Sequence, residues 1–333
     1  MQLKRRDFLK LSVAGAGLML AAPPATAALH NGMPYRTLGR TGEKVSLLCL
    51  GGSHIGGNNL TDEQSISMMR YAVDAGVNFF DNAHAYHGGR SETLMGRALK
   101  DGYREKVFLM TKNKGRNTAD AREQLDASLR RLHVDVIDLL QVHEIVRPEQ
   151  PGQVYDDGAL DVLLEARDAG KIRYIGVTGH NYPQFLNEML ERGFPWDTIQ
   201  MPLNVCDVYF RSFQQETLPK ALELGLGVIG MKSMGGSPGA IPRSGEVAPD
   251  ECLKYAMSLP VSSVCSGMDS QEVLEANIAL AKSFTPLSEA ERLDILERSR
   301  PLSLTGTREP YKTMWHRDVV DQMEGNTPEN EET

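Results

Sequence analysis

The 333-residue chain has only four cysteines, and their spacing matches no cysteine-based chemistry. Cys49, Cys206, Cys252 and Cys265 form no C-x-x-C pair, which excludes a zinc ribbon, a ferredoxin-type cluster and a thioredoxin-like motif. Beyond the first residues there is no long basic run. With a net charge of −8, this argues against a nucleic-acid partner. No apolar run approaches the ~20 residues that a membrane-spanning helix requires, so no stable span is expected. A G-x-G-x-x-G after the first strand is also missing. Gly51-Gly52-Ser53-His54 stands there instead, which weighs against an open doubly wound dinucleotide-binding sheet.

The N-terminus reads as an address. Lys4, Arg5, Arg6 and Lys10 form a basic segment with an arginine pair, and Leu11 to Ala22 is a short run rich in Ala and Gly. Ala25-Thr26-Ala27 is a small-x-small cleavage site. The segment resembles a twin-arginine export signal. Residues 1–27 are therefore expected to be a removable leader, with the export machinery as partner and the periplasm as destination.

Apolar runs and helical patterns then alternate. The strands are expected at Leu47 to Leu50, Val77 to Phe80, Val107 to Thr111, Val136 to Val142, Ile172 to Val177, Thr198 to Met201, Gly227 to Met231 and Ser262 to Ser266. Each is followed by a helix, and several of these helices end at a glycine. Thr61 with Gln64, and Ser288 with Glu291, have capping-box spacing. Strict alternation predicts a parallel sheet, and eight units predict a closed (β/α)8 TIM barrel over 28–300. Tyr35 to Leu38 and Lys44 to Ser46 flank a Gly-rich turn and predict an N-terminal β-hairpin. Ser288 to Ser299 predicts an extra C-terminal helix. Residues 301–333 end in a polar run and are expected to form a partly disordered tail. In such a barrel Cys49 and Cys265 fall on neighbouring strands. An oxidising compartment would permit a bridge between them, but two small core residues are the favoured reading.

The chemistry gathers around Asn78 to Glu92, NFFDNAHAYHGGRSE. Asp81 ends the second strand, and Tyr86 lies five residues on, in a glycine-bearing loop. Lys112 ends the third strand and His143 the fourth. Four such groups at the C-terminal ends of successive strands suit the catalytic face of a barrel.

Asp81, Tyr86 and the Gly88-Gly89-Arg90-Ser91-Glu92 run resemble the strand-2 signature of the aldo-keto reductases. With Lys112 and His143 they match the family's tetrad in order and context. The resemblance implies hydride transfer between a nicotinamide cofactor and an aldehyde or ketone, or the corresponding alcohol. Tyr86 would be the general acid and base, Lys112 would lower its pKa, Asp81 would hold Lys112, and His143 would orient the carbonyl.

The resemblance also lays NADP or NAD across the barrel mouth, against Ser53, Thr178, Gln200, Met231, Lys232, Gly267 and Asn277. Gly179 stands where many members have an amide side chain. The basic pair that holds the 2′-phosphate of NADP is missing from Ser266 to Val273, so NADP is a family expectation only. Two other classes stay open: a Schiff-base aldolase using Lys112, and a non-catalytic nucleotide-binding partner protein. The sequence expects no metal site.

Overall fold

The computed structural model describes residues 28–313 apart from Ser237. The expected leader, residues 1–27, and the tail beyond 313 lie outside the described residues.

The chain opens with an antiparallel sheet of β1 (Ala28–His30), β2 (Met33–Thr37) and β3 (Lys44–Ser46). The expected hairpin is β2–β3, and β1 adds a third strand to it. Eight parallel strands then close a barrel: β4 (Leu48–Gly51), β5 (Phe79–Asp81), β6 (Phe108–Asn113), β7 (Ile137–Val142), β8 (Ile172–Thr178), β9 (Thr198–Pro202), β10 (Gly227–Met231) and β11 (Ser263–Gly267). They pair in chain order, and β11 pairs back onto β4 with Cys265 opposite Cys49. This is a (β/α)8 barrel, its helices packed around the outside.

The two-residue period of each strand divides the core in two. Inward-facing Cys49, Phe79, Phe108, Met110, Leu139 and Ile229 fill the barrel, with Leu38 and Val45 of the hairpin packed beneath them. The alternate residues, Leu48, Leu50, Phe80, Leu109, Leu140, Ile175 and Ile199, face the helices in the larger cluster. The hairpin is pinned across the barrel floor. Buried Arg36 donates to the carbonyls of Val261 and Met257 at 2.9 and 3.0 Å. Gly39 has φ +51°, and a Cβ there would lie 2.2 Å from the Gly227 backbone nitrogen, so only glycine lets the turn press this close.

Both predicted capping boxes form. Thr61 caps the helix Asp62–Asp74 and Ser288 caps the helix Glu289–Ser303, each with its reciprocal partner three residues on. Two short helices, Gly52–Ile55 and Gln150–Asp156, are inserted after β4 and β7.

The largest difference lies at the C-terminal end. The last helix carries Pro301 inside it, and the chain beyond packs onto the barrel up to 313. Glu309, Tyr311 and Lys312 are buried. The Lys312 ammonium reaches Asp207 at 2.6 Å and Glu309 at 2.9 Å, and donates to the Phe210 carbonyl at 2.8 Å. Glu309 and Lys312 look like part of a solvated tail by type but are inside, because Lys312 satisfies both Glu309 and Asp207. The boundary drawn at 300 therefore extends to at least 313.

Candidate functional site

The period that fills the barrel also builds its mouth. Two residues beyond inward Phe79 comes Asp81, and two beyond Met110 comes Lys112. On β7 the series runs Leu139, Gln141, His143. Asp81, Lys112 and His143 are 3 %, 1 % and 8 % exposed, so the barrel holds them out of water.

Tyr86 is carried by the loop after β5, and the Gly-Gly-Arg-Ser-Glu run fixes that loop. Gly89 has φ +92°, and a Cβ there would strike the Arg131 guanidinium at 2.3 Å. Arg90 donates to the carbonyls of Gly56 and Gly57 at 2.6 and 2.8 Å, and Ser91 to that of Gly52 at 2.8 Å. Glu92, fully buried, accepts from Thr111 at 2.7 Å and Arg131 at 3.3 Å. These residues clamp the tyrosine loop to the loop after β4 and to β6. The motif is a scaffold, and the candidate reactive groups lie on either side of it in the chain.

The Lys112 ammonium is the centre of the constellation. It is ion-paired with Asp81 Oδ1, donates to the Asn82 carbonyl at 2.8 Å and lies 3.4 Å from the Tyr86 hydroxyl. Asp81 Oδ2 accepts from Gln200 Nε2 at 2.9 Å and from the Cys265 thiol at 3.0 Å. The His143 and Tyr86 rings meet edge to face, with centroids 5.8 Å apart. All four expected residues are thus brought together.

Their electrostatics depart from expectation at one point. Burial pushes Tyr86 up to about 12, outweighing the pull of Lys112. The expected lowering of its pKa does not occur, because desolvation of the phenolate exceeds the attraction of an ammonium 3.4 Å away that Asp81 already neutralises. Burial opposes the charge on Lys112, but Asp81, Tyr86 and Cys265 together hold its pKa above the ordinary lysine value. Burial and the nearby cations keep His143 neutral, far below its usual value. At neutral pH the site therefore offers a protonated phenol, an ammonium and a neutral imidazole.

Of the expected cofactor contacts, Ser53, Thr178, Met231, Lys232 and Gly267 lie at or just beyond the C-terminal ends of β4, β8, β10 and β11, and Gln200 lies midway along β9, in register with Thr178. Asn277 sits behind them and donates to Ser266 Oγ at 3.2 Å, so it braces β11 from the adjoining helix. Gln200 is 1 % exposed, and its Oε1 has no hydrogen-bond partner among the described residues. His143 Nδ1 is likewise buried without one. A buried unpaired acceptor costs stability unless a ligand completes it. Lys232 holds a left-handed backbone, φ +55°, and its ammonium sits 5.0 Å from the Tyr311 ring.

Three participants escaped the sequence reading. Cys265 was taken as core, although the two-residue period shared with Ser263 and Gly267 already pointed it inward. His180 pairs with Glu144 at 3.1 Å, and burial and nearby Lys232 draw it down to about 4. Tyr311 sets its ring 5.9 Å from that of His180 and had no signal in the sequence. Among the described residues no group of three or more His, Cys, Asp or Glu could hold a metal ion. No helix among them is long and apolar enough to cross a membrane.

Comparison with known proteins agrees with this architecture. "Aldo-keto reductase YhdN" of Bacillus subtilis is 35 % identical over 206 residues, an alignment spanning 57 % of this chain and 58 % of that protein. L-galactose dehydrogenase of Arabidopsis thaliana is 29 % identical over 289 residues, covering 76 % of this chain and 89 % of that one. The holo form of aldo-keto reductase AKR11C1 from Bacillus halodurans superposes with a TM-score of 0.69 at 24 % identity, covering 83 % of this chain and 99 % of that one, and shares the fold. The sequence model of the Aldo/keto reductase family matches residues 47–244, more than half of the chain. This chain belongs to the aldo/keto reductase family.

Proposed function

We propose that the chain is an NAD(P)-dependent aldo-keto reductase acting on small aldehydes or ketones, or on the matching alcohols, with Asp81, Tyr86, Lys112 and His143 as its catalytic group. The observation that carries this reading is the line from the Asp81 carboxylate through the Lys112 ammonium to the Tyr86 hydroxyl at the mouth of the barrel. A bound nicotinamide dinucleotide supplies or accepts the hydride, which no side chain can do. Tyr86, protonated at neutral pH, gives its proton to the substrate oxygen in reduction, with Lys112 stabilising the phenolate left behind. Neutral His143 hydrogen-bonds the substrate oxygen and sets its approach. Asp81 keeps Lys112 charged and in place.

The nucleotide fits the residues present. The unpaired Gln200 Oε1 is an acceptor for the carboxamide NH₂ group, and Thr178, in register with Gln200 on the neighbouring strand, adds a hydroxyl. Asp269 and Glu272 stand exposed after β11 where a 2′-phosphate clamp would need basic groups. NADH is therefore to be tested beside NADPH. A Schiff-base aldolase is disfavoured, because its lysine must be a neutral nucleophile and Lys112 is held charged. We also propose that the Arg5-Arg6 leader exports the folded protein to the periplasm.

The test is direct. Purified protein is titrated with each reduced nucleotide and then given a panel of aldehydes, while the absorbance of the reduced nicotinamide is followed. Saturable binding and aldehyde-dependent loss of absorbance are expected. Nucleotide binding without turnover of any carbonyl would favour the partner-protein reading instead.

A further inference from the structure

Lys112 and Gln200 account for only part of what holds Asp81. The carboxylate comes from β5, yet its donors come from three other strands: Lys112 of β6 on Oδ1, and Gln200 of β9 with Cys265 of β11 on Oδ2. An aspartate head group turns about two side-chain torsions. A single ammonium on one oxygen fixes the distance of that oxygen but leaves the plane of the carboxylate free to rotate. Donors on the second oxygen remove that freedom.

We propose that Cys265 is a positioning residue for the reaction, its thiol donating to Asp81 Oδ2 so that, with Gln200, it fixes the carboxylate plane that aims Lys112 at Tyr86. This rests on the functional reading above. The geometry is specific to an inward position on the last strand. Cys265 lies in register with Cys49 across β4 and β11, and Cys49 fills the layer below the polar mouth. The contact with Cys49, burial and the neighbouring carboxylate all keep the Cys265 thiol protonated, which is the state that donates. Both cysteines are free. A merely space-filling cysteine would have no reason to put its sulfur 3.0 Å from a carboxylate oxygen already bonded to Gln200.

Two variants separate positioning from packing. Cys265→Ala and Cys265→Ser shrink the side chain by nearly the same amount, but Ala removes the donor whereas Ser restores one. Loss of one hydrogen bond to a charged group predicts a fall in kcat of about tenfold for Cys265→Ala. KM for the carbonyl and nucleotide affinity should stay near wild type, and Cys265→Ser should recover most of the rate. Unchanged kcat in Cys265→Ala, or an equal loss in both variants, overturns the proposal.

An activity-independent measurement keeps it testable whatever the protein reduces. The infrared S–H stretching band lost in Cys265→Ser should lie at the low wavenumber of a strong donor, and Asp81→Asn should raise it. A band at the position of a free thiol, unmoved by Asp81→Asn, also overturns the proposal. A wild-type protein that turns over no carbonyl but shows the shifted band sinks the functional reading and leaves the Cys265–Asp81 bond standing.

Discussion

Replacing Lys312 with Met is expected to destabilise the fold far more than its place near the C-terminus suggests. The Lys312 ammonium is fully buried between Asp207 and Glu309. Met keeps the length of the stem but deletes the charge, leaving carboxylates in a water-free site. Removing one partner of a buried ion pair costs roughly 3–5 kcal/mol. The low end applies here, because Asp207 keeps the Phe213 and Gln214 backbone N–H groups at 3.1 and 2.8 Å and the Ser212 hydroxyl at 3.2 Å. Glu309 Oε1 keeps Asn204 and Tyr311 at 2.9 and 2.7 Å. A loss of about 3 kcal/mol corresponds to a drop in Tm of roughly 6–12 °C for a domain of this size. Glu309→Gln should behave differently. Burial already raises the pKa of that carboxyl, and the amide oxygen preserves the Oε1 contacts, so its cost should stay below about 1 kcal/mol. Scanning calorimetry on the three proteins measures both effects. A Lys312→Met protein melting within about 2 °C of wild type would refute the claim that 304–313 is part of the core.

Stability should also fall in mild acid. The unfolded chain protonates its histidines near 6.5, whereas folded His180 is drawn down to about 4 and His143 lies well below its usual value. Between pH 6.5 and 4 the unfolded state therefore binds more protons, so stability drops as pH falls through that window, by up to about 3 kcal/mol for His180. Urea titrations at pH 7 and 5 should show this, and the drop should shrink in His180→Gln; equal drops in both proteins would contradict it. For the leader, Arg5→Lys with Arg6→Lys should leave precursor in the cytoplasm with the barrel intact. Fractionation finding the double variant in the periplasm at wild-type levels would show the arginine pair to be incidental.

What the sequence made legible was whatever is written in a local run of residues. Eight strands stood out as short apolar runs alternating with helices, and Asp81, Lys112 and His143 as the polar residues that end three of them; which residues of each run face the barrel interior was not read. Capping boxes at Thr61 and Ser288 are equally local and were equally legible. The C-terminal segment was not, because Glu309 and Lys312 are polar by type and buried only through a partner, Asp207, about a hundred residues away. The pKa of Tyr86 was misjudged for a related reason. Residue types announce the attraction of Lys112 but not the depth of the site, and desolvation decided the sign. Cys265 carried a readable inward phase, but thiols in strands are common core residues, and nothing local revealed the carboxylate opposite.

In the proposed mechanism Tyr86 delivers the proton while its neighbours hold the site together. Single-turnover hydride transfer, measured with saturating reduced nucleotide and an accepted aldehyde, isolates that step in Tyr86→Phe. The phenyl ring keeps the edge contact with His143 and removes only the hydroxyl. Nucleotide affinity is expected to stay near wild type while the transfer rate falls by about 10² to 10⁴-fold. A variant that transfers hydride at the wild-type rate would contradict the account.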